Sequence, residues 1–304
     1  MKPIKPFFIV VALLVVLSCD NRTKEIDFDI VSGAEKLVLN CLLNTDSVVS
    51  VQITHSYGLD EPPLEPISDY YVPNAIVILY ENDTFKDTLV YDNNGSYYAA
   101  NGFKPQPNNS YYISVAATGY ETAYSLPETV PNPITIAAWF YQDTIGVYVP
   151  SAYQNPFQGG NQTVSRLTYQ FNDPTEANYY ALKANIQTIN TEQPVLLYFY
   201  DVFGCKPKGY PSVIEDICFN GSDATVIVDI IPYQNISLTN QDSLEVELWS
   251  VSENYYKFAI SREAYAIQSD AIFEAPFNLF SNVKNGYGIV AAYSKSKLKI
   301  GLDE

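Results

Sequence analysis

Histidine occurs once among the 304 residues, methionine once and cysteine four times, and these shortages remove whole classes of chemistry. A nucleophilic triad needs a histidine base. The single candidate, His55, stands in Val51-Gln52-Ile53-Thr54-His55-Ser56-Tyr57, where strand alternation puts it on one face with Val51, Ile53 and Tyr57. No serine lies in a G-x-S-x-G elbow, and neither H-E-x-x-H nor a C-x-x-C pair occurs, so the hydrolase and zinc signatures are missing. Basic residues are scarce as well: 17 Lys and Arg against 34 Asp and Glu leave a formal charge of −17. Phosphate recognition needs clustered cations, which excludes nucleic acid as a partner and leaves the charge to solvate the surface. Carboxylates are plentiful, and Asp173, Glu245 and Glu247 are the candidates for a glycosidase-like pair. On an alternating β background each reads as a turn or solvated residue. Asp92-Asn93-Asn94-Gly95 has part of a calcium loop, but Val90 fills the first ligand position, so a hairpin turn is the better account. The expectation is a protein that is not an enzyme and holds no cofactor or metal.

What is present begins at the N-terminus. Lys2 and Lys5 precede an apolar run from Pro6 to Leu17, followed by Ser18 and Cys19, the pattern of an export signal. The run is about a dozen residues, short of the roughly 20 that span a bilayer. Cysteine directly after Ser18 is where lipoprotein processing cuts and lipidates, although Val16 stands where leucine is usual. The expectation is a signal peptide over 1–18, a lipid on Cys19 and attachment to a membrane through that lipid. Losing Lys2 and Lys5 would take the mature 286 residues to a formal charge of −19. Residues 19–33, with Asp20, Glu25, Asp27 and Asp29, read as a tether. Of the remaining cysteines, Cys205 and Cys218 bracket a loop containing Pro207, Gly209 and Pro211. Outside the cytoplasm the expected product is a disulfide, stabilising by about 3 kcal/mol for a loop of this size. Cys41, within Leu37-Val38-Leu39-Asn40-Cys41-Leu42-Leu43, is expected to be a buried free thiol.

The rest of the chain is a succession of short runs of Val, Ile, Thr and Tyr separated by turn residues, an all-β signature. Residues 34–126 are expected to form a β-sandwich, 127–133 (Pro127, Pro131, Pro133) a linker, and 134–304 a second β-rich domain, sandwich or barrel-like. Ser250-Val251-Ser252-Glu253 has the form of a capping box. With Tyr256, Ile260, Ala264 and Ile267 on one face, it predicts one amphipathic helix over 253–268. Gly286 to Tyr293 predicts a closing strand. Tyrosine pairs such as Tyr97-Tyr98, Tyr111-Tyr112 and Tyr179-Tyr180 place one ring on each side of an extended chain, and the outward rings could serve cores, sugars or protein partners.

Val72-Pro73-Asn74-Ala75-Ile76-Val77-Ile78, then Asp92 to Gly95 with Tyr97, then Tyr111 to Val115 with Gly119-Tyr120, resemble the transthyretin-like or carboxypeptidase-regulatory β-sandwich. That resemblance implies fold, with glycines in turns and tyrosines in the core. Phe171-Asn172-Asp173-Pro174, Asn178-Tyr179-Tyr180 and the run Phe273 to Ile289 together resemble a family of Bacteroidota outer-membrane lipoproteins, domain of unknown function 4249. Such proteins are similar to the accessory lipoproteins that accompany TonB-dependent receptors. The resemblance implies the outer membrane and a β-barrel partner and brings no catalytic residues; the acidic residues after Cys19 point to the cell surface more than the periplasmic face. A stand-alone carbohydrate or peptide binder for nutrient uptake is the alternative, and an extracellular hydrolase a distant third.

Overall fold

The computed structural model describes residues 34–58, 65–149, 160–188, 192–199, 213–232, 242–268 and 278–301. The expected signal peptide, the tether with Cys19, and Cys205 lie outside them. In the N-terminal half the strands are β1 (Leu37–Asn44), β2 (Ser50–His55), β3 (Ile76–Glu81), β4 (Thr84–Tyr91), β5 (Ser96–Tyr98), β6 (Ser110–Ala116), β7 (Ala123–Ser125) and β8 (Glu128–Thr129). The period of two drives their burial: Leu37, Leu39, Cys41 and Leu43 of β1 point inward, as do Val77 and Leu79 of β3 and Tyr111, Ile113 and Val115 of β6. These side chains form one core between two sheets, as the fold reading required. One sheet runs β4–β5–β2–β1, the other β4–β3–β6–β7 with β8 on the far part of β6. The β3–β4 hairpin turns on Asn82 and Asp83, both at positive φ, as a tight two-residue loop demands.

The C-terminal half contains β9 (Ile136–Val149), β10 (Gly160–Asn172), β11 (Tyr179–Gln187), β12 (Glu192–Phe199), β13 (Ile214–Glu215), β14 (Asp223–Pro232), β15 (Ser243–Val251), helix α1 (Glu253–Gln268), β16 (Val283–Lys284) and β17 (Tyr287–Gly301). One sheet is β9–β10–β14–β12, the other β12–β11–β15–β17, and β12 belongs to both. The sheets fold around a second core that includes Leu167, Phe171, Tyr180, Val226, Val246 and Leu248.

The halves are joined by the end of the chain. Tyr287–Tyr293 of β17 runs parallel to β1, from Val38↔Tyr287 to Asn44↔Tyr293, and Tyr293–Gly301 continues antiparallel to β15. The closing strand is therefore longer than the segment 286–293 expected. Its second part reads Lys295-Ser296-Lys297-Leu298-Lys299 and lacks an apolar signal, but Lys295 and Lys297 meet Glu247 and Glu245 of β15 at 2.8 and 2.7 Å. The short β16 pairs with β7. The stretch 127–133 is laid along the N-terminal sandwich: β8 pairs with β6, Val130 is fully buried, and Val130 N–H donates to Asn109 O at 3.1 Å.

Close approach explains the glycines near the chain's end. Gly288 sits at φ +105°, and a Cβ there would lie 2.1 Å from the carbonyl oxygen of Leu39. Asn282, buried beside it, donates to Val290 O at 2.7 Å and accepts from Val290 N–H at 2.9 Å. Helix α1 occupies the predicted residues, with two corrections. Its cap is Ser252, whose Oγ accepts from Tyr255 N–H at 3.3 Å, whereas Ser250 is a buried residue of β15. The helix packs through Tyr255, Tyr256 and Ala259 on Trp249, Val251 and Tyr293, while Ile260 is exposed. The packed face is rotated by about one residue from the one read from apolar spacing, because aromatic rings on β15 and β17 select their own partners.

Candidate functional site

The N-terminal half carries a surface cleft of about 290 Å³ lined by residues from three separate segments, among them His55, Tyr71, Asn74, Thr118 and Tyr120. The first wall is the end of β2. His55 lies between the rings of Tyr70 and Tyr120, with centroids at 5.7 and 6.2 Å. Its Nδ1 is 3.1 Å from Ser56 O and its Nε2 3.2 Å from Asp69 O. A carbonyl oxygen only accepts, so the neutral ring donates to one of the two at a time, and these contacts with the neighbouring rings hold His55 as part of the wall.

The second wall is the segment after the 3-10 turn Ile67–Tyr70. Tyr71 lies flat over Gly95, where a Cβ would stand 2.5 Å from its ring. Tyr97 OH donates to Val72 O at 2.5 Å and accepts from Ala75 N–H at 2.9 Å. The "dG.Y" element of the sequence, Gly95 with Tyr97, therefore fixes the backbone that carries Pro73 and Asn74. The third wall is the β6–β7 turn. Gly119, at φ +90°, supplies the left-handed conformation there, and Tyr120 N–H closes onto Ala117 O at 3.2 Å. Tyr120 OH donates to Glu35 Oε2 at 3.1 Å, and the same carboxylate is 3.5 Å from His55 Nδ1. Burial first, and then the Glu35 carboxylate, raise the Tyr120 phenol above its ordinary range, which keeps it a donor at neutral pH.

The carboxylates singled out from sequence are structural. Asp173 is buried, accepting from Tyr180 OH and, at 2.9 Å, from Gly221 N–H. Burial raises its pKa although both bonds pull the other way. Glu245 and Glu247 form the lysine ladder on β15. Burial works against ionisation of Glu247, but bonds from Lys295, Trp249 and Lys297 outweigh it and hold the carboxyl down at about 2. Asp92 Oδ1 accepts from Asn94 and Ser96 N–H at 2.7 and 3.0 Å, a self-closed hairpin turn. Cys41 is buried and free, and burial with nearby Glu128 pushes its thiol up to about 12, which leaves it inert at neutral pH. Cys218 is exposed in the turn after β13.

One carboxylate escaped notice in the sequence. Glu128, in the proline-rich stretch, is buried against the N-terminus of α1. Asn254 Nδ2 donates to it at 2.5 Å, Ser252 also bonds to it, and Ser252 Oγ in turn accepts from Ala292 N–H of β17 at 3.1 Å. Burial raises its pKa to about 7, against the pull of those bonds. Nothing in Pro127-Glu128-Thr129 distinguishes this acid from a solvated one.

The family model described as Domain of unknown function (DUF4249) matches residues 23–299. The chain belongs to this family. No curated protein matches it. The motifs that carried the resemblance to DUF4249 now have physical roles. Asp173, Asn178 and Tyr180 close the β10–β11 connection, where Asn178 N–H also donates to Asp216 Oδ2 at 2.7 Å. Asn282, Gly286 and Gly288 seat the chain's end against β1, a Cβ on Gly286 falling 2.6 Å from Leu37 O. Both motifs build the fold, and the cleft is formed largely by other residues.

Proposed function

We propose that this DUF4249 chain is a non-enzymatic, lipid-anchored outer-membrane protein, an accessory binding or assembly subunit beside a TonB-dependent receptor or another outer-membrane β-barrel. The observation that carries the reading is the N-terminal grammar of Lys2, Lys5, an apolar run and Ser18-Cys19. The acidic residues that follow Cys19 favour the cell surface over the periplasmic face. No helix among the described residues is long and apolar enough to cross a membrane; in this reading the lipid on Cys19 is the anchor.

An outward sheet face supports the partner. Alternating with the buried residues of β3, β6 and β7 are Ile76, Ile78, Tyr80, Tyr112, Ser114 and Tyr124, cross-registered as Ile78↔Ser114↔Tyr124 and Tyr80↔Tyr112. Tyr80 and Tyr112 stack at 4.4 Å, and Ile76 is 60 % exposed. Lys284 of β16, opposite Tyr124, borders this face, and an aromatic and aliphatic patch on a chain of −17 is what the core of a protein interface looks like.

Co-purification is the test. From gently solubilised outer membranes the full chain is expected to emerge with a β-barrel protein, and Ile76→Lys with Tyr124→Lys is expected to release it. Recovery of the unaltered chain as a lone monomer would overturn the assembly role. Mass spectrometry of the same material checks the anchor and the disulfide: a lipidated N-terminal Cys19 and, without reductant, a peptide pair joining Cys205 to Cys218. Cys218 is not a free thiol, which supports that pairing. Unmodified Cys19 would remove the anchor, and free thiols at Cys205 and Cys218 the disulfide.

A further inference from the structure

We infer that the His55–Tyr120 cleft is a binding site for a neutral saccharide, one or two sugar rings of a longer glycan. The volume of about 290 Å³ lies at the small end of the range for ligand pockets. The mouth is open, so a chain could enter with one unit seated and the rest outside. Two kinds of surface meet in it. Aromatic rings from all three segments line it, His55, Tyr71 and Tyr120, and the two tyrosines offer ring surface to the C–H face of a pyranose. The same segments carry Asn74 and Thr118, both exposed. Among the described residues their side chains make no hydrogen bond to protein, so a carboxamide and a hydroxyl, together two kinds of donor and acceptor, are free for sugar hydroxyls.

Charge narrows the class further. Among the described residues no Lys or Arg lines the cleft, Glu35 stands 3.5 Å from His55 at its margin, and the chain carries −17. Phosphates, uronic acids and other anions would be repelled. An ammonium ligand finds no carboxylate among the described lining residues, Glu35 standing at the margin. An apolar ligand would bury the Asn74 and Thr118 groups unpaired. A neutral polyol with one apolar face satisfies every wall. The segments that shape the cleft are also rigidly held, by Tyr97 to Val72 and Ala75 and by the Ala117–Tyr120 turn, so little ordering is needed on binding.

This site does not depend on the receptor partnership. A monomer that binds sugar would leave the cleft intact while removing the assembly role, and a receptor-bound chain blind to sugar would do the reverse. The experiment is titration of the full mature chain with neutral tetrasaccharides (α-1,4- and β-1,4-glucose, β-1,4-xylose and β-1,4-mannose), with tetragalacturonate as the charged counterpart. Saturation-transfer NMR and tyrosine fluorescence are the readouts. At least one neutral glycan is expected to saturate with a Kd of about 1 mM or lower, and tetragalacturonate to give no response. Asn74→Ala and Tyr120→Ala are each expected to weaken binding about 10-fold or more, whereas Tyr112→Ala, on the outward face of the other sheet, leaves it unchanged. Asn74 is exposed, so its variant keeps the fold and the readout even where Tyr120→Ala does not. Absence of saturation by every neutral glycan at about 10 mM, equal binding by the Asn74→Ala chain, or preference for tetragalacturonate would each overturn the assignment.

Discussion

The two halves of the molecule are both β-rich, but they are completed differently. The C-terminal half builds its sheets from long neighbouring strands, with β9, β10, β14 and β15 each of nine residues or more. The N-terminal half uses shorter strands and takes a strand from about 250 residues further along the chain: β17 pairs in parallel with β1, and Val283, Val290 and Ala292 enter its core. A sandwich whose core is finished by the last segment cannot close until the whole chain is present. Contacts of such long sequence separation cost loop-closure entropy before they return any stabilisation. The N-terminal half is the one expected to open when that seam is disturbed.

Gly288→Ala is the strongest way to break the comparison. The added Cβ would meet Leu39 O at 2.1 Å in a backbone already at φ +105°. Strand pairing must separate, with an expected loss of about 4 kcal/mol or more. Gly102→Ala, at φ +77° with nothing within 4 Å, supplies the backbone cost alone, about 1 kcal/mol. Denaturant unfolding measures both. Hydrogen exchange should show β1 and β2 losing protection while β10 and β14 keep theirs; uniform loss across both halves would show that they open as one.

Next in size is the pH response of the joint. Glu128 titrates near 7 in the folded chain against an ordinary value of 4.5, so the folded state binds the extra proton. The stabilisation is complete below pH 4.5 and is lost as pH rises through about 7. A shift of this size corresponds to about 3 kcal/mol. The charged groups facing it are Glu253 and Lys257 of α1, with Cys41 of β1 on the other side. Glu247 behaves oppositely. Its carboxyl is held at about 2, so its contribution is present above pH 4.5 and drains as pH falls toward 2. The seam therefore weakens on the alkaline side and the β15–β17 ladder on the acid side. Glu128→Gln is expected to flatten the melting profile between pH 5 and 8 and leave the acid limb intact. Superimposable profiles for the two chains would show that Glu128 does not govern the joint.

Legibility from sequence followed the range of each interaction. Strands and the helix at 253–268 could be read because a period of two or of 3.6 is local. The cap slipped from Ser252 to Ser250, and the helix face turned, because Trp249, Tyr293 and Tyr179 decide where Tyr255 and Tyr256 dock, and no spacing rule knows those rings. The second part of β17 was invisible because its outward lysines mask the alternation until Glu245 and Glu247 are set opposite. The partner of β1 could not be read at all, since alternation gives a strand its faces but not its neighbours. The cleft has the same cause: Glu35, His55, Tyr71, Asn74 and Tyr120 come from separate stretches. Only Gly95, Tyr97 and Gly119-Tyr120 hinted at it, as turn and core signals.

The smallest effect sits where the two halves meet on β15 and β17. Ser250 and Ser294 face each other in register, both are buried, and neither hydroxyl has a hydrogen-bond partner among the described residues. A buried hydroxyl without a partner costs about 1–3 kcal/mol relative to one that is satisfied, and alanine fills nearly the same space without that cost. Ser250→Ala with Ser294→Ala is therefore expected to raise stability by about 1 kcal/mol in denaturant unfolding. The gain should survive in the Gly288→Ala background, because the pair belongs to the β15 side of β17 and not to the β1 seam. Destabilisation by the double substitution would mean that the hydroxyls bond each other or a water in solution, and that this row of the sheet is held by polar contacts after all.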